Sequence, residues 1–89
     1  MNEETKKEFL DAKELMEEVA EDRTVPRNIR KVVSDAIEKV SSEDATVVNC
    51  SEAIYLLDDI SNDINIPSHT RTTIWEIISK LEGVKEKIK

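Results

Sequence analysis

The sequence predicts an all-α protein, a four-helix bundle built from two pseudo-repeated helical hairpins. Three observations carry that prediction. The segment Asp22-Arg23-Thr24-Val25-Pro26-Arg27-Asn28-Ile29-Arg30 returns as Asp63-Ile64-Asn65-Ile66-Pro67-Ser68-His69-Thr70-Arg71, with aspartate, proline and arginine at the same spacing. The match runs ungapped on both sides, pairing Ala12 with Ala53, Leu15 with Leu56, Val19 with Ile60, Ile37 with Ile78 and Lys39 with Lys80. A self-match over almost half the chain marks an internal repeat, with halves at about 8–41 and 45–82 of one domain spanning 1–89. Aliphatic residues then recur at three- and four-residue steps in four windows, and only one glycine and two prolines interrupt the 89 residues.

The first helix is expected from Glu3 to Glu21, with Phe9, Ala12, Leu15, Met16, Val19 and Ala20 forming its apolar stripe. Pro26 disfavours helix at Val25 and suits the first helical position itself, so the second helix should run from Pro26 to about Ser41. Its buried stripe reads Ile29, Val32, Val33, Ala36, Ile37 and Val40. Ser41-Ser42-Glu43-Asp44 links the halves, with Asp44 as the expected N-cap. A third helix from Ala45 to about Ser61 should bury Val47, Cys50, Ala53, Ile54, Leu57 and Ile60. The fourth begins at Pro67 and should bury Thr70, Ile74, Ile77, Ile78 and Leu81. Gly83 is a candidate end, and the tail to Lys89 has the pattern for one further turn.

A period near forty resembles HEAT-like pairs, in which successive hairpins share one continuous apolar face. Two repeats fall short of what such arrays usually need, and Asp44-Ala45-Thr46-Val47-Val48 lacks the proline and arginine that usually follow that aspartate. A compact bundle is the alternative.

Composition excludes more functions than it selects. The net charge is −7, which repels phosphate backbones and anionic bilayers, so neither nucleic acid nor membrane is an expected partner. The single Cys50 forms no intramolecular disulfide, no long apolar run is present and the N-terminus is acidic. A cytoplasmic protein is the expectation. His69 and Cys50 are each alone of their type, and no sequence spacing supplies either with an activating partner. No glycine-rich phosphate loop or Cys-x-x-Cys pair occurs, so no enzyme, cofactor or dedicated metal site is expected.

Asp22, Pro26 and Arg30, with Asp63, Pro67 and Arg71, read as structural turn residues. Each aspartate accepts turn N–H groups, and each arginine reaches back to the carboxylate and to the carbonyls that end the preceding helix. Acidic residues crowd the helix C-termini, where the macrodipole disfavours them: Glu17, Glu18, Glu21, Asp22, then Asp58, Asp59 and Asp63. A bound cation would relieve that, although Asp58–Asp63 lacks the oxygen alternation, glycine and closing glutamate of a calcium loop.

The informative signal is where the halves differ. Lys13 becomes Ile54, Glu14 becomes Tyr55, Arg23 becomes Ile64, Ser34 becomes Trp75 and Ala36 becomes Ile77. The second half is the more apolar each time. Tyr55, Ile64 and Trp75 are therefore the candidate interaction surface, and a core placement is the competing reading. Either a protein partner or a second copy would cover such a surface. The alternative function is a cation- or small-ligand-binding protein using Asp58, Asp59 and Asp63.

Val25-Pro26-Arg27-Asn28-Ile29-Arg30, Ala53-Ile54-Tyr55-Leu56-Leu57-Asp58, Ile60-Ser61-Asn62-Asp63, and Arg71 with Ile74-Trp75-Glu76-Ile77 carry a resemblance over about residues 10–82. By them the chain resembles a small archaeal family of roughly ninety-residue helical proteins whose biochemical role is uncharacterised. The resemblance implies an archaeal source and an all-helical fold, and it supplies no functional residues.

Overall fold

The computed structural model describes residues 1–42 and 44–89; Glu43, part of the expected link, lies outside the described residues. Four helices follow in order: α1 (Glu3–Glu21), α2 (Arg27–Lys39), α3 (Val47–Ser61) and α4 (Ser68–Ile88). No strand occurs among the described residues. Each helix packs against two others, α1 on α2 and α4, α3 on α2 and α4, so the four close into a ring. Among the described residues, no Cα of α1 comes within 8 Å of one in α3, nor one of α2 within 8 Å of α4. HEAT-like stacking would lay the first helix of each pair against its counterpart. The ring adjacency is that of an up-and-down bundle instead. Its Cα extents are 37 × 19 × 19 Å.

The reasons for each helix are local before they are tertiary. Asn2 caps α1 by accepting the Thr5 N–H at 2.7 Å, and Glu3 and Glu4 stand where the dipole favours carboxylates. The expected bounds of α1 hold to the residue. Pro26 and Pro67 do not open their helices as expected; they cap them with ψ near 144° and 145°, and α2 and α4 begin one residue later. Asp44 is not the cap of α3. Thr46 is, in a capping box: its hydroxyl accepts the Asn49 N–H at 3.0 Å while Asn49 Oδ1 accepts the Thr46 N–H at 2.9 Å. Starting α3 at Val47 puts that residue on the rim, where it is 37 % exposed rather than buried.

The core is aliphatic. Phe9, Met16, Ile29, Val33, Leu57, Ile74, Ile77, Leu81 and Val84 are fully buried, and Val25 and Ile66, one before each proline, plug the turn end. Leu15, Ala20, Val32, Ile37, Ile54 and Ile78, all expected in stripes, are only partly buried because each lies on the shoulder of its helix.

Gly83 does not end α4, which continues to Ile88. A Cβ at Gly83 would meet Glu8 Oε1 at 2.7 Å, and that oxygen is buried without a hydrogen-bond partner, while Glu8 Oε2 lies 3.9 Å from Lys87 Nζ. Glycine inside a helix costs about 0.5–1 kcal/mol relative to alanine. In a Glu8→Ala background, Gly83→Ala should therefore stabilise the bundle by about that amount. In the parent chain the gain should be smaller, since the carboxylate must first turn away. Thermal denaturation of the four chains reads that non-additivity.

Candidate functional site

The two turns carry the same backbone hydrogen bonds. Asp22 N donates to Val19 O and Val25 N to Asp22 O, at 3.2 and 3.1 Å; Asp63 N donates to Ile60 O and Ile66 N to Asp63 O, at 3.0 and 3.3 Å. Each aspartate Oδ1 accepts the N–H two residues on, Thr24 at 2.9 Å and Asn65 at 2.8 Å. That is the Asx-turn an aspartate makes between two helices. The arginines behave otherwise than expected. Neither Arg30 nor Arg71 pairs with the aspartate carboxylate; both donate to carbonyls. Arg30 Nε reaches Val25 O at 3.1 Å, whereas Arg71 bridges Ser61 O and Asp63 O, both at 2.9 Å. One oxygen of each carboxylate, Oδ1, accepts the turn N–H, while the guanidinium groups meet carbonyls at the chain reversal.

The first turn comes close to the start of α4. His69 Nε2 lies 3.9 Å from Asp22 Oδ2, in a shallow polar recess lined also by Glu18, Val19, Thr70 and Thr73. Sequence spacing left His69 without a partner, because Asp22 reaches it only through the α1–α4 contact. The distance exceeds a hydrogen bond and both side chains are well exposed. Thr73 Oγ1 donates to His69 O, and Thr70 Oγ1 is buried without a partner. The Thr24 hydroxyl, then the Thr24 N–H, hold the Asp22 carboxyl below its ordinary 3.8, and His69 adds to the shift. A depressed folded value means that this stabilisation is complete above the unfolded pKa and lost as pH falls through the folded one. Carbonyl NMR should show Asp22 titrating below 3.8, and Thr24→Ala should move its midpoint upward.

Cys50 is fully buried on α3, and burial pushes its thiol up, with Lys85 partly offsetting the rise. Such a thiol packs as a small apolar group. No group of three or more His, Cys, Asp or Glu placed to hold a metal occurs among the described residues. Asp58 and Asp59 face outward on α3, while Asp63 Oδ1 is spent on the Asn65 N–H.

The candidate surface residues sit on three elements. Tyr55 projects from α3 and is 74 % exposed, Ile64 tips the α3–α4 turn at 91 %, and Trp75 stands on α4 at 56 %. Of the five positions where the second half is more apolar, Ile77 is buried and Ile54 partly so. The other three are surface. Tyr55 walls a groove of about 320 Å³ with Lys39, Ser51, Glu52 and Leu56; Ile64 and Trp75 are not among its lining residues. Sequence reasoning missed Val48, which is 68 % exposed on α3. A seven-residue step to Tyr55 was the signal that would have found it.

No helix among the described residues is long and apolar enough to cross a membrane. Comparison with known proteins gives one consistent result. The model of an uncharacterised protein family, UPF0147, matches residues 1–84. A UPF0147 protein of Methanocaldococcus jannaschii is 49 % identical over 86 residues, covering 94 % of this chain and 92 % of its own. One from Archaeoglobus fulgidus is 40 % identical over 79 residues, covering 89 % and 91 %. The crystal structure of a UPF0147 protein from Thermoplasma acidophilum superposes with a TM-score of 0.81 at 39 % identity, covering 88 % of this chain and 93 % of that one. A second crystal structure, of a protein of unknown function, gives 0.78 at 45 %, covering 84 % and 86 %. All these named relatives are archaeal.

Proposed function

The chain belongs to the uncharacterised family UPF0147, and from that premise we propose that it is a non-enzymatic helical domain for protein interaction or self-association. The observation that carries this reading is the exposure of Tyr55, Ile64 and Trp75 at positions where the first half holds Glu14, Arg23 and Ser34. Large apolar side chains cost solubility on a free surface, and aromatic residues dominate the energetic centres of interfaces. The matching hydrogen bonds at the two turns support reading 8–41 and 45–82 as repeated hairpins, with one half turned toward binding. A buried thiol and an acidic surface suit a reducing cytoplasm.

Light scattering over a range of concentrations, followed by a pull-down from native extract, tests the reading. Trp75→Ala should weaken self-association or partner retention by about tenfold while leaving helicity unchanged. A monomer from which Trp75→Ala and Tyr55→Ala remove no retained protein would sink it. The cation- or small-ligand-binding alternative rests on Asp58, Asp59 and Asp63; it requires millimolar magnesium, calcium or manganese to raise the melting temperature.

A further inference from the structure

We propose that the outward face of α3, with the groove between α3 and α2, docks a basic amphipathic helix from another protein. This rests on the interaction reading above and names the partner's chemistry. Val48 and Tyr55, two turns apart, share a stripe with Glu52 and Asp59, opposite the buried Cys50, Ala53, Leu57 and Ile60. Beside that stripe the groove has Tyr55 as its wall and half-buried Leu56 within it. These residues give an incoming helix an apolar seat of the helix-in-groove kind.

Charge decides the occupant. Residues 47–66 contain four carboxylates, Glu52, Asp58, Asp59 and Asp63, and no lysine or arginine. Lys39 meets Glu52 at 3.6 Å, but Asp58 and Asp59 form no ion pair among the described residues. They stand in the last turn of α3, which holds no basic residue of its own; Arg71 of α4 meets Ser61 O and Asp63 O at that end but pairs with neither carboxylate. A second copy paired through this same face would bring the same four carboxylates to the interface, on a chain whose net charge is −7. A helix with leucine or isoleucine on one side and lysine or arginine along the flank satisfies both halves of the surface.

The test uses the full chain and a fluorescein-labelled amphipathic helix of leucine and lysine, followed by anisotropy. Controls are a glycine–lysine peptide of equal charge and a leucine–glutamate helix. Only the leucine–lysine helix should bind. Tyr55→Ser with Val48→Ser should weaken it by at least about tenfold without changing the circular dichroism. Asp58→Asn with Asp59→Asn should weaken it less and flatten its salt dependence. Equal binding of the glycine–lysine peptide, or no effect of the serine pair, would mean charge attraction alone and overturn the inference while leaving the interaction reading standing. A homodimer abolished by the serine pair would overturn it in favour of a second copy, with the same reading intact. No binding of either peptide would overturn it too, and the extract experiment with Trp75→Ala then judges the broader reading separately.

Discussion

Phe9→Ala is expected to destabilise the bundle by about 3–5 kcal/mol, the range for removing a buried aromatic ring and leaving a cavity. Phe9 is 1 % exposed and is the only phenylalanine in the chain. Its ring faces the Lys13 ammonium, 4.5 Å from the centroid, so truncation also removes a cation–π contact. Its counterpart in the other half is the much smaller Cys50, fully buried on α3. The ring supplies volume that no pseudo-equivalent residue supplies. Domains of this size have total stabilities of about 5–15 kcal/mol, so the variant should show a urea midpoint lowered by a large fraction. A loss below about 1 kcal/mol would mean that the α1 core collapses around the gap.

Arg71→Ala should cost about 2–4 kcal/mol, and Arg30→Ala about half as much. Arg71 spans the α3–α4 turn, binding Ser61 O, one of the carbonyls that α3 leaves unsatisfied, and Asp63 O beyond it. Arg30 makes one bond, to Val25 O within the turn. Deleting Arg71 removes two hydrogen bonds, stranding Ser61 O and leaving Asp63 O with only the Ile66 N–H, whereas deleting Arg30 removes one. Arg71→Lys should not restore stability, since one ammonium lacks the planar fork that holds both carbonyls. Equal losses at the two arginines would show that the difference in their partners has no energetic weight. Thermal melts of the three variants separate these outcomes.

How much of this was readable beforehand follows from which residues act locally. The prolines placed both turns, the three- and four-residue steps placed the four helices, and α1 begins and ends where its pattern does. Ala12, Met16, Val33, Leu57 and Leu81 were expected inside and are fully buried. Misreadings came where two local signals competed or where a tertiary contact decided. Asp44 and Thr46 both suit an N-cap, and the reciprocal Asn49 bond selects Thr46. Gly83 resembles a helix end, but Val84 beyond it is buried and draws α4 onward over Glu8. The aspartate–arginine spacing suggested ion pairs, yet each aspartate accepts its own turn N–H and each arginine donates to carbonyls. Tyr55, Ile64 and Trp75 were picked out by comparing halves, because the helical period alone does not tell a shoulder residue such as Trp75 from a core one. His69 beside Asp22 needed the α1–α4 contact and was beyond any linear reading.

The contact of α1 with α4 bears on how the chain is made. Synthesis releases α1 and α2 first, and their hairpin emerges with Phe9, Met16 and Ile29 lacking the helices that later cover them. Covering α1 needs α4, which follows α2 and α3 in the chain, so an N-terminal half made first has an uncovered apolar side until α4 follows it. Glu14, Glu17, Glu18 and Glu21 crowd α1. Like charges repel, so these carboxylates oppose the pairing of two half-made chains through that uncovered side.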